Sequence, residues 1–454
     1  MSSAYNSIFE SPRLVGIKMT VKEMVLKRGW KILKFSECIE HINTGLNPRK
    51  NFTLGTGDIK YITAKNLTKF GTVDFSKCDF IDERAKSIIH RRSNIEVGDI
   101  LFSSRAPIGH CHLIKNEPND FDIGESIFAI RVNREVVLPA YMCLYLASDY
   151  YVEAASLHTT GSIIVEIRIG DLMNTEIIVP PMEIQKKIAD CLERIDRNLE
   201  LNRMINDNLQ HQLKLLYDYW FTQFDFPDEN GKPYRASGGA MVRNEQLKCE
   251  IPQYWNIGTV SDCVEKISTG LNPRDNFVLG NGSIRYITVK NLTTTGSLDF
   301  SGCDMIDEEA RTIVHRRSDI SVGDILFASI APLGRCYLIQ QEPTDWDINE
   351  SVFSIRSKTD KITPEYLYLF FQSDSFIQKA TNTSTGSIFK GIRINTLLDT
   401  KMIIPDLQVC RNFTKAIKPL LAEINNNSAE TARLTALRDW LLPMLMNGQA
   451  TISD

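Results

Sequence analysis

The sequence lacks the features that would place it in a membrane, in an oxidising compartment or among strongly basic DNA-binding proteins. No apolar run approaches the roughly 18 residues of a membrane-spanning helix, and the first residues lack the apolar segment of a signal peptide. The ten cysteines form no CxxC pair, and the formal net charge is −4. We therefore expect a cytoplasmic protein with reduced thiols, which would bind nucleic acid only through a local patch or through charge supplied by partners.

The signatures of common DNA-modifying and ATP-driven enzymes are also missing. There is no Walker loop for a motor, no strand-borne acidic pair followed by Glu-x-Lys for a nuclease, and no Asn/Asp-Pro-Pro-aromatic motif for a methyltransferase. His110-Cys111-His112 is a candidate metal-binding run, but its counterpart in the repeat described next is Arg335-Cys336-Tyr337. A structural thiol is therefore the favoured interpretation, and we predict neither a catalytic site nor a metal site in this chain.

What the sequence does contain is an internal duplication. INTGLNPRKNFTLGTGDIKYITAKNL, which begins at Ile42, returns as ISTGLNPRDNFVLGNGSIRYITVKNL from Ile267, an offset of 225 residues (267 minus 42). About two thirds of the positions across Ile42–Ile114 are identical in the second copy. Within each copy, short runs rich in β-branched and aromatic residues alternate with turns, and a helical segment follows near Pro139–Tyr151 and Pro364–Ser375. Each copy is therefore predicted to be an α+β module with a mostly β centre.

Each copy is followed by a long amphipathic helix. Apolar residues recur at steps of three and four across Pro180–Phe221 and again across Leu407–Met446. Pro180 and Pro181 mark the start of the first helix, because proline is tolerated in the first helical turn but not further on. At 1.5 Å per residue each helix would be on the order of 60 Å long. We expect the two helices to bury their apolar stripes against each other, as an antiparallel pair that separates the modules.

Two further features concern the helices. Asn202, Asn206 and Asn208 in the first helix, and Asn425–Asn427 in the second, would lie near mid-length, where they either fix the helix register or lie on the solvated surface. The segment between the first helix and the second module, Thr222–Trp255, is rich in Pro, Gly and polar residues. It is predicted to be a connector rather than a domain.

Three long phrases resemble one protein family. PPMEIQKKIADCLERID from Pro180, YWFTQFDFPDENGKPYRASGGAMV with the following IPQYW, and LTALRDWLLPMLMNGQA from Leu434 are similar to conserved parts of the specificity subunits of type I restriction-modification enzymes. Ile184 departs from the Glu usual in that family, and Asn447 from the usual Ser, which bears on a methyltransferase contact rather than on the resemblance. Together with the duplication, the resemblance covers essentially the whole chain.

The resemblance implies a fold, a function and a set of partners. The fold would be α+β, with two tandem target-recognition domains separated by two long α-helices in an antiparallel coiled coil, and with internal pseudo-two-fold symmetry. The function would be non-catalytic recognition of a bipartite double-stranded DNA sequence, with two methyltransferase subunits bound to the chain and motor-nuclease subunits added to that core. No cofactor is expected in this chain, whereas S-adenosylmethionine, ATP and Mg2+ would belong to the partner subunits.

The implied division of the chain has seven segments, and two other functions stay open. The alternatives are a coiled-coil scaffold whose modules bind proteins rather than DNA, and a specificity partner for a fused type II restriction-methylation enzyme. The segments are an N-terminal extension (1–28), target-recognition domain 1 (29–179), spacer helix 1 (180–221), a connector (222–254), target-recognition domain 2 (255–404), spacer helix 2 (405–447) and a C-terminal tail (448–454).

The residues predicted to contact DNA are polar or glycine, lie in loops or at helix ends, and mostly occur in both copies. Glycine lets backbone approach DNA closely, asparagine suits adenine, arginine suits guanine or phosphate, and hydroxyl groups suit phosphate. The alternative for each motif is local: a turn for TGLNPR, a solvated lysine for the KN pair and an ordinary helix edge for HRRS. The first copy supplies Thr44, Gly45, Asn47, Arg49, Lys65, Asn66, Arg91, Arg92, Ser104, Arg105, Thr160, Gly161 and Ser162. The second supplies Thr269, Gly270, Asn272, Arg274, Lys290, Asn291, Arg316, Arg317, Ser329, Thr385, Gly386, Ser387 and Lys390.

Differences between the copies refine this prediction. Because Arg105 has Ile330 as its counterpart, it cannot be essential to a shared mode of binding and would tune affinity or one base preference. The net charge is +4 (11 minus 7) over Ile42–Ile114 but −1 (7 minus 8) over Ile267–Ile339, so docked methyltransferases are expected to supply much of the phosphate contact. Near-duplicate modules on an antiparallel helix pair predict inverted, nearly identical half-sites around a nonspecific gap that the helices set.

Overall fold

The chain forms two compact units, each of which contains one copy of the repeat. The computed structural model describes residues 21–49, 51–68, 71–156, 166–245, 248–300, 302–383 and 391–452. Unit 1 comprises the described parts of Met1–Asn198 and Leu434–Asp454, and unit 2 those of Leu199–Arg433. No helix within these described ranges is both long and apolar enough to cross a membrane.

Unit 1 is built around two small sheets and a two-stranded ribbon. Its strands are β1 (Lys31–Lys34), β2 (Ile39–Thr44), β3 (Ile59–Ile62), β4 (Asp79–Ile81), β5 (Ile100–Ser103), β6 (Cys111–Leu113), β7 (Phe121–Ile123), β8 (Ile127–Val132) and β9 (Glu176–Val179). An antiparallel sheet has the order β2-β8-β5-β6, and a second sheet has the order β4-β3-β7 with β3 and β7 parallel. β1 and β9 pair as an antiparallel ribbon that brings the two ends of the module together.

The helices of unit 1 are short except for the spacer helix. They are α1 (Val21–Lys27), α2 (Phe35–Cys38), α3 (Glu83–Ser93), α4 (Pro139–Leu146), α5 (Asp149–Ser156), α6 (Ile169–Met173) and the first part of α7 (Met182–Tyr217). The single helix predicted near Pro139–Tyr151 is in fact two helices, α4 and α5. The chain restarts because the Ser148 hydroxyl accepts a hydrogen bond from the Tyr151 amide at 3.3 Å, as a helix N-cap does.

The central strand of the larger sheet departs from the expected alternation of apolar and polar residues. All four residues of β5 are buried. Helix α4 contacts β5 and its neighbours β6 and β8, and Leu101 of β5 packs with Ile62 and Ile123 of the three-stranded sheet. Because both faces of this strand are covered, its first three residues, Ile100, Leu101 and Phe102, form an uninterrupted apolar run.

Unit 2 repeats this topology. Its strands are β10 (Met241–Asn244), β11 (Cys249–Pro252), β12 (Asn256–Thr259), β13 (Val264–Thr269), β14 (Ile284–Ile287), β15 (Asp304–Ile306), β16 (Ile325–Ala328), β17 (Cys336–Leu338), β18 (Trp346–Ile348), β19 (Val352–Ser357) and β20 (Lys401–Ile404). Its helices are α8 (Val260–Cys263), α9 (Glu308–Ser318), α10 (Pro364–Gln372), α11 (Asp374–Thr383), α12 (Ile394–Leu398) and most of α13 (Leu407–Met446). The sheet orders β13-β19-β16-β17 and β15-β14-β18, with the ribbon β12-β20, correspond strand for strand to those of unit 1.

The segment after α7 is more ordered than a plain connector. A π-helical turn at Asp218–Thr222 ends the helix, and β10 and β11 form a hairpin. Between them, the Phe226 ring stacks on Trp255 at 5.1 Å and on Tyr234 at 4.7 Å. These aromatic contacts attach the segment to the core of unit 2, which the polar and Gly-rich composition does not predict.

The long helices α7 and α13 pack against each other in antiparallel register. Within unit 2, Asn202 donates to Glu430 at 3.2 Å, and Asn206 donates to Ser428 and to the Ile424 carbonyl, each at 3.3 Å. As the residue number along α7 increases, the residue number of the partner on α13 decreases, as it does in antiparallel helices. Asn202 and Asn427 are buried, so the interpretation that asparagines fix register is favoured over a solvated surface, except at the exposed Asn208.

In unit 1 the same helices are joined by charge instead of amides. The buried guanidinium of Arg438 on α13 lies 2.6 Å from the Asp196 carboxylate on α7. Burial raises the pKa of Asp196 above its ordinary value, while Arg438 acts in the opposite direction.

The predicted fold of two α+β modules with a long antiparallel helix pair is confirmed.

Candidate nucleic-acid interface

In unit 1 the TGLNPR loop is held against the turn between β7 and β8. A Cβ atom at Gly45 would lie 1.8 Å from the Ile123 carbonyl oxygen, so only glycine fits there. The hydroxyl of Tyr61, a buried residue of β3, donates to the Leu46 carbonyl at 2.7 Å. Gly45 therefore allows a close approach of backbone to backbone within the protein, which by itself requires glycine at this position.

Four charged or amide side chains meet beside this loop. Arg105 donates through Nη1 to Glu125 at 3.0 Å and through Nε to Glu166 at 3.1 Å. The Asn47 amide donates to the other oxygen of Glu125. The hydrogen bond from Asn47, and after it the one from Arg105, hold the pKa of Glu125 below its ordinary value. The exposed Arg49 follows in the same loop. We call Asn47, Arg105, Glu125 and Glu166 the polar loop cluster.

The end of helix α3 adjoins the same loop. Arg91 and Arg92 lie exposed in its last turn, where cations are favoured by the helix dipole, and Arg92 Nε donates to the Thr44 hydroxyl at 3.1 Å. The structure thus brings three motifs that are distant in sequence, TGLNPR, HRRS and SSRAP, to one surface. This is the arrangement that a base- and phosphate-contacting surface needs.

A buried carboxylate anchors that helix end. Asp122 of β7 is fully buried, accepts from the Ser93 hydroxyl at 2.7 Å and from the Ile123 amide at 2.8 Å, and lies 3.3 Å from His90. Burial raises the pKa of Asp122 above its ordinary value, although these neighbours act in the opposite direction. Asp122 therefore holds the last turn of α3, which carries the two arginines, through Ser93 and His90.

Two residues of unit 1 that were predicted to contact DNA have buried side chains that are hydrogen-bonded within the protein. Asn66 is 1% exposed, and its amide accepts from the Thr63 backbone and donates to the Asp74 carbonyl, which closes a short helical turn. Ser104 is fully buried and donates to the Ser126 carbonyl. Lys65, next to Asn66, remains exposed on the surface with its Nζ 3.8 Å from Asp79.

Unit 2 reproduces the supporting interactions. A Cβ atom at Gly270 would lie 1.7 Å from the Ile348 carbonyl oxygen, and Asp347 binds the Ser318 hydroxyl at 2.6 Å and His315 at 2.9 Å. Arg274, Lys290, Arg316 and Arg317 are exposed, and Thr269 and Asn272 are partly exposed. Asn291 and Ser329, like Asn66 and Ser104 in unit 1, are buried and hydrogen-bonded within the unit.

The polar loop cluster itself is not reproduced. In unit 1 an isolated β-bridge pairs Arg105 with Glu166. The equivalent bridge in unit 2 pairs Ile330 with Gly391. Within the described residues, the structure gives the exposed carboxylate of Glu350, the counterpart of Glu125, no hydrogen bond or ion pair. The isolated β-bridge occurs at equivalent positions in both units, so the difference at this place lies in the side chains.

The hydroxyl-rich loops fall outside the described residues. They contain the predicted contacts Thr160, Gly161, Ser162, Thr385, Gly386 and Ser387, together with Lys390. Immediately after them, Arg168 and Arg393 are exposed at the N-caps of α6 and α12.

The histidines near Cys111 have structural roles. His110 Nδ1 lies 2.7 Å from the Leu67 carbonyl and His112 Nδ1 lies 2.7 Å from the Gly71 carbonyl, while Arg335 donates to the Leu292 carbonyl at 3.4 Å in unit 2. Burial raises the pKa of the Cys111 thiol. Within the described part of the chain, no three His, Cys, Asp or Glu side chains are grouped to hold a metal ion.

The residues that sequence reasoning missed are acidic. Glu125 and Glu166 were not predicted, although Glu125 recurs in the second copy as Glu350, within Gly-Glu-Ser and Asn-Glu-Ser respectively. That recurrence could have identified Glu125 as a candidate from the sequence. The sequence does not identify Glu166, because its counterpart is Gly391 and its role depends on the ion pair with Arg105.

Comparisons with known proteins agree with this architecture. A sequence model of the family "Type I restriction modification DNA specificity domain" matches residues 27–211 and 252–435, more than half of the chain. The chain is 24% identical over 431 residues to the type I restriction enzyme MjaIX specificity subunit of Methanocaldococcus jannaschii, which covers 94% of this chain and 95% of that protein. It is 22% identical over 414 residues to the type I restriction enzyme HindI specificity subunit of Haemophilus influenzae, which covers 78% of this chain and 87% of that protein.

A solved structure shares the fold. The crystal structure of a type I restriction-modification system S subunit from M. genitalium superposes with a TM-score of 0.51 at 16% sequence identity, over 92% of this chain and 96% of that one. Because the family match includes both copies of the repeat, the chain belongs to the family of type I restriction modification DNA specificity domains.

Proposed function

We propose that this chain is the non-catalytic recognition subunit of a type I restriction-modification complex, and that it reads a bipartite DNA target. The observation that carries the proposal is the surface repeated in both units, where the TGLNPR loop and the HRRS helix end meet. In unit 1 this contact is the hydrogen bond from Arg92 to Thr44 at 3.1 Å. Exposed arginines beside a glycine-containing loop provide both phosphate contacts and base contacts.

The two long helices set the distance between the two half-sites in this proposal. Helix α7 has 36 residues and α13 has 40, which correspond to roughly 54 and 60 Å at 1.5 Å per residue. At about 3.4 Å per base pair a 60 Å spacer covers roughly 17 base pairs, enough for two short half-sites and a nonspecific gap.

We further propose that the half-sites are inverted and nearly identical. Each copy leads through an equivalent strand, β9 or β20, into its long helix, and the helices are antiparallel. Like readers related by a two-fold operation read inverted sequences. The half-sites would then differ only where the loops differ.

Methyltransferase subunits are proposed as the partners that complete the binding surface. The chain's net charge of −4 makes counterion release from this chain alone a weak driving force for binding DNA. The helices offer apolar side chains to such partners: Leu201 and Met204 are 45% and 58% exposed in unit 2, and Trp440 is 56% exposed in unit 1. Motor-nuclease subunits would join that core, and S-adenosylmethionine, ATP and Mg2+ would act in the partner subunits.

Two measurements test the proposal. Fluorescence anisotropy with random duplex DNA, with and without the cognate methyltransferase, should show binding that depends on the partner and weakens with salt. Long-read methylation mapping in the host should then show a bipartite motif with inverted half-sites. Absence of DNA binding in both conditions would favour the alternative, a coiled-coil scaffold for proteins, and two unrelated half-sites would overturn the inverted arrangement.

The spacer role has its own test. Adding seven residues to both long helices preserves the apolar stripe and lengthens each by about 10 Å. The nonspecific gap should then grow by about three base pairs while the half-sites stay the same. An altered half-site with an unchanged gap would contradict the spacer role.

A further inference from the structure

One difference between the two units on the proposed DNA surface determines which groups are available to a base. In unit 1, Glu125 accepts from Arg105 and from Asn47, so both of its oxygens are occupied. In unit 2, the described residues leave the Glu350 carboxylate and the Asn272 amide without hydrogen-bond partners in the protein.

The cause is a paired replacement. Arg105 is held from its other side by Glu166, so it is fixed in a position that also orients Glu125 toward Asn47. Ile330 and Gly391 stand in place of Arg105 and Glu166, and neither has a side chain that can bind a carboxylate. The replacement removes one positive and one negative charge, so the net charge of the surface is unchanged. At this position the units therefore differ in whether the glutamate carboxylate is already hydrogen-bonded within the protein.

The chemistry of a free carboxylate restricts its partner on DNA. It only accepts hydrogen bonds, so it is repelled by phosphate and by the acceptors of guanine and thymine in the major groove. Adenine presents its amino group beside the N7 acceptor, which would face the second carboxylate oxygen. Cytosine presents the N4 amino group beside a C–H group, and it is the base that glutamate contacts in the major groove.

We infer that Glu350 is a specificity-determining residue that accepts a hydrogen bond from cytosine N4 at one position of the half-site read by unit 2. In unit 1 the equivalent Glu125 is withheld from DNA by Arg105 and Asn47, so the corresponding position is read differently. This inference rests on the proposed function and adds a defined asymmetry to it: one base pair of two otherwise matching half-sites.

The main test exchanges carboxylate for amide in each unit. Glutamine both donates and accepts, and therefore suits adenine. In the full chain assembled with its methyltransferase, E350Q should change one position of one half-site from cytosine to adenine, with roughly a tenfold or larger change in base preference by selection from a randomised duplex library. E125Q is the matched control, and it should leave the base preference at its position unchanged, because that side chain is bound to Arg105.

A reciprocal pair of variants tests the cause. R105I/E166G should free Glu125 and introduce a cytosine preference in the other half-site, and I330R/G391E should remove the cytosine preference from the half-site of unit 2. Both double variants preserve net charge, so the salt dependence of binding should not change. Gly391 has little room for a side chain, since its Cβ would lie 3.0 Å from the Ser329 carbonyl, and the surface variant E350Q decides the matter if that double variant does not fold.

The outcomes separate this inference from the proposed function. If the complex binds a bipartite motif but E350Q leaves every position unchanged, the role of Glu350 is overturned and the proposed function stands. The role of Glu350 is likewise overturned if E125Q shifts base preference as much as E350Q, or if the wild-type half-sites are identical at every position. If the assembled complex binds no DNA, the proposed function itself fails.

Discussion

The interiors of the two units are more alike than their surfaces. In unit 1 the Asp99 carboxylate binds Arg131 at 2.7 Å, and in unit 2 Asp324 binds Arg356 at 2.8 Å. The buried Asp122 is matched as closely by Asp347, down to its serine and histidine partners. On the surface, by contrast, the equivalent of the three-residue ion network of unit 1 is the Glu350 carboxylate of unit 2, which has no hydrogen bond or ion pair among the described residues.

The contrast reflects what each kind of residue is required to do. A buried charge without its partner costs several kcal/mol, so an interior network changes only as a whole. An exposed ion pair contributes about 1 kcal/mol or less, so a surface network can be replaced without loss of the fold. A duplicated domain can therefore diverge in what it reads while its supporting structure stays the same.

The largest expected effect comes from the glycines that hold the TGLNPR loop in each unit. Gly45→Ala and Gly270→Ala each place a methyl group within 2 Å of a backbone oxygen, so the loop must move, at a cost of about 3 kcal/mol in local stability. Hydrogen–deuterium exchange of peptides from each unit measures this cost. Gly170→Ala is the control, since its Cβ would meet nothing within 4 Å. Equal losses in the two units are expected, and a loss in only one would show that the loops are supported differently.

The buried ion pairs should come next. Asp99→Ala and Asp324→Ala each leave a largely buried arginine without its main acceptor. Each substitution should lower the free energy of unfolding by about 2–3 kcal/mol. This is the lower side of the range for buried pairs, because the arginines keep some solvent contact. The control is Asp120→Ala, which removes the exposed partner of Lys60 and should cost less than about 1 kcal/mol. Denaturant-dependent hydrogen exchange resolves the two units, and a cost below that of the control would show that the pair is not a structural requirement.

These examples also show which parts of the molecule the sequence predicts. Patterns that run through many residues predict the repeat, the two long helices and the α+β modules. The regular spacing of apolar residues in the sequence places them on one face of a helix or strand. The exposure of a single polar residue does not follow, because it depends on partners elsewhere. Asn66 and Ser104 resemble surface residues in sequence, yet their hydrogen bonds to Asp74 and Ser126 place them inside.

The predicted DNA surface shows the same limit. The motifs around Thr44 and Arg92 were identifiable as polar loops, but their meeting depends on the fold that places the end of α3 beside the end of β2. Glu166 lies 61 residues from its partner Arg105 and has no counterpart in the second copy, so nothing in the sequence links the two. Comparing the two copies identifies the residues that they share. Interactions present in only one copy, such as that of Arg105 with Glu166, are identified only from the structure.

A smaller effect, with a defined pH dependence, is expected at Asp122 and Asp347. Because burial raises the pKa of each carboxyl in the folded state, the folded state binds more protons than the unfolded state as the pH rises above the ordinary range for aspartate. The contribution of each residue to stability therefore falls as the pH rises through that window. Asp122→Asn keeps the bonds to Ser93 and Ile123 without a titrating group, so its stability relative to wild type should increase from pH 4 to pH 7. Asp347→Asn should behave in the same way, and a decrease with pH in either variant would contradict the assigned direction.

The smallest expected effect concerns the amides between the long helices. The Asn427 amide donates to Asn206 at 3.1 Å, and Asn206 donates to Ser428 and Ile424. Asn206→Leu alone leaves the buried Asn427 without its acceptor and should cost about 1 kcal/mol. The double variant N206L/N427L replaces both amides with apolar groups and should recover that loss, which gives a coupling energy of about 1 kcal/mol in a double-mutant cycle.

Stability and register should separate in that double variant. If the amides serve mainly to fix the alignment of α7 against α13, the double variant keeps its stability but populates shifted pairings, as expected when a polar residue at a helix interface is replaced by an apolar one. Distances between spin labels at the exposed positions Asn208 and Asn426, measured by pulsed electron paramagnetic resonance, should then broaden relative to wild type. An unchanged, narrow distance distribution would show that apolar packing alone sets the register, and the amides would then contribute only stability.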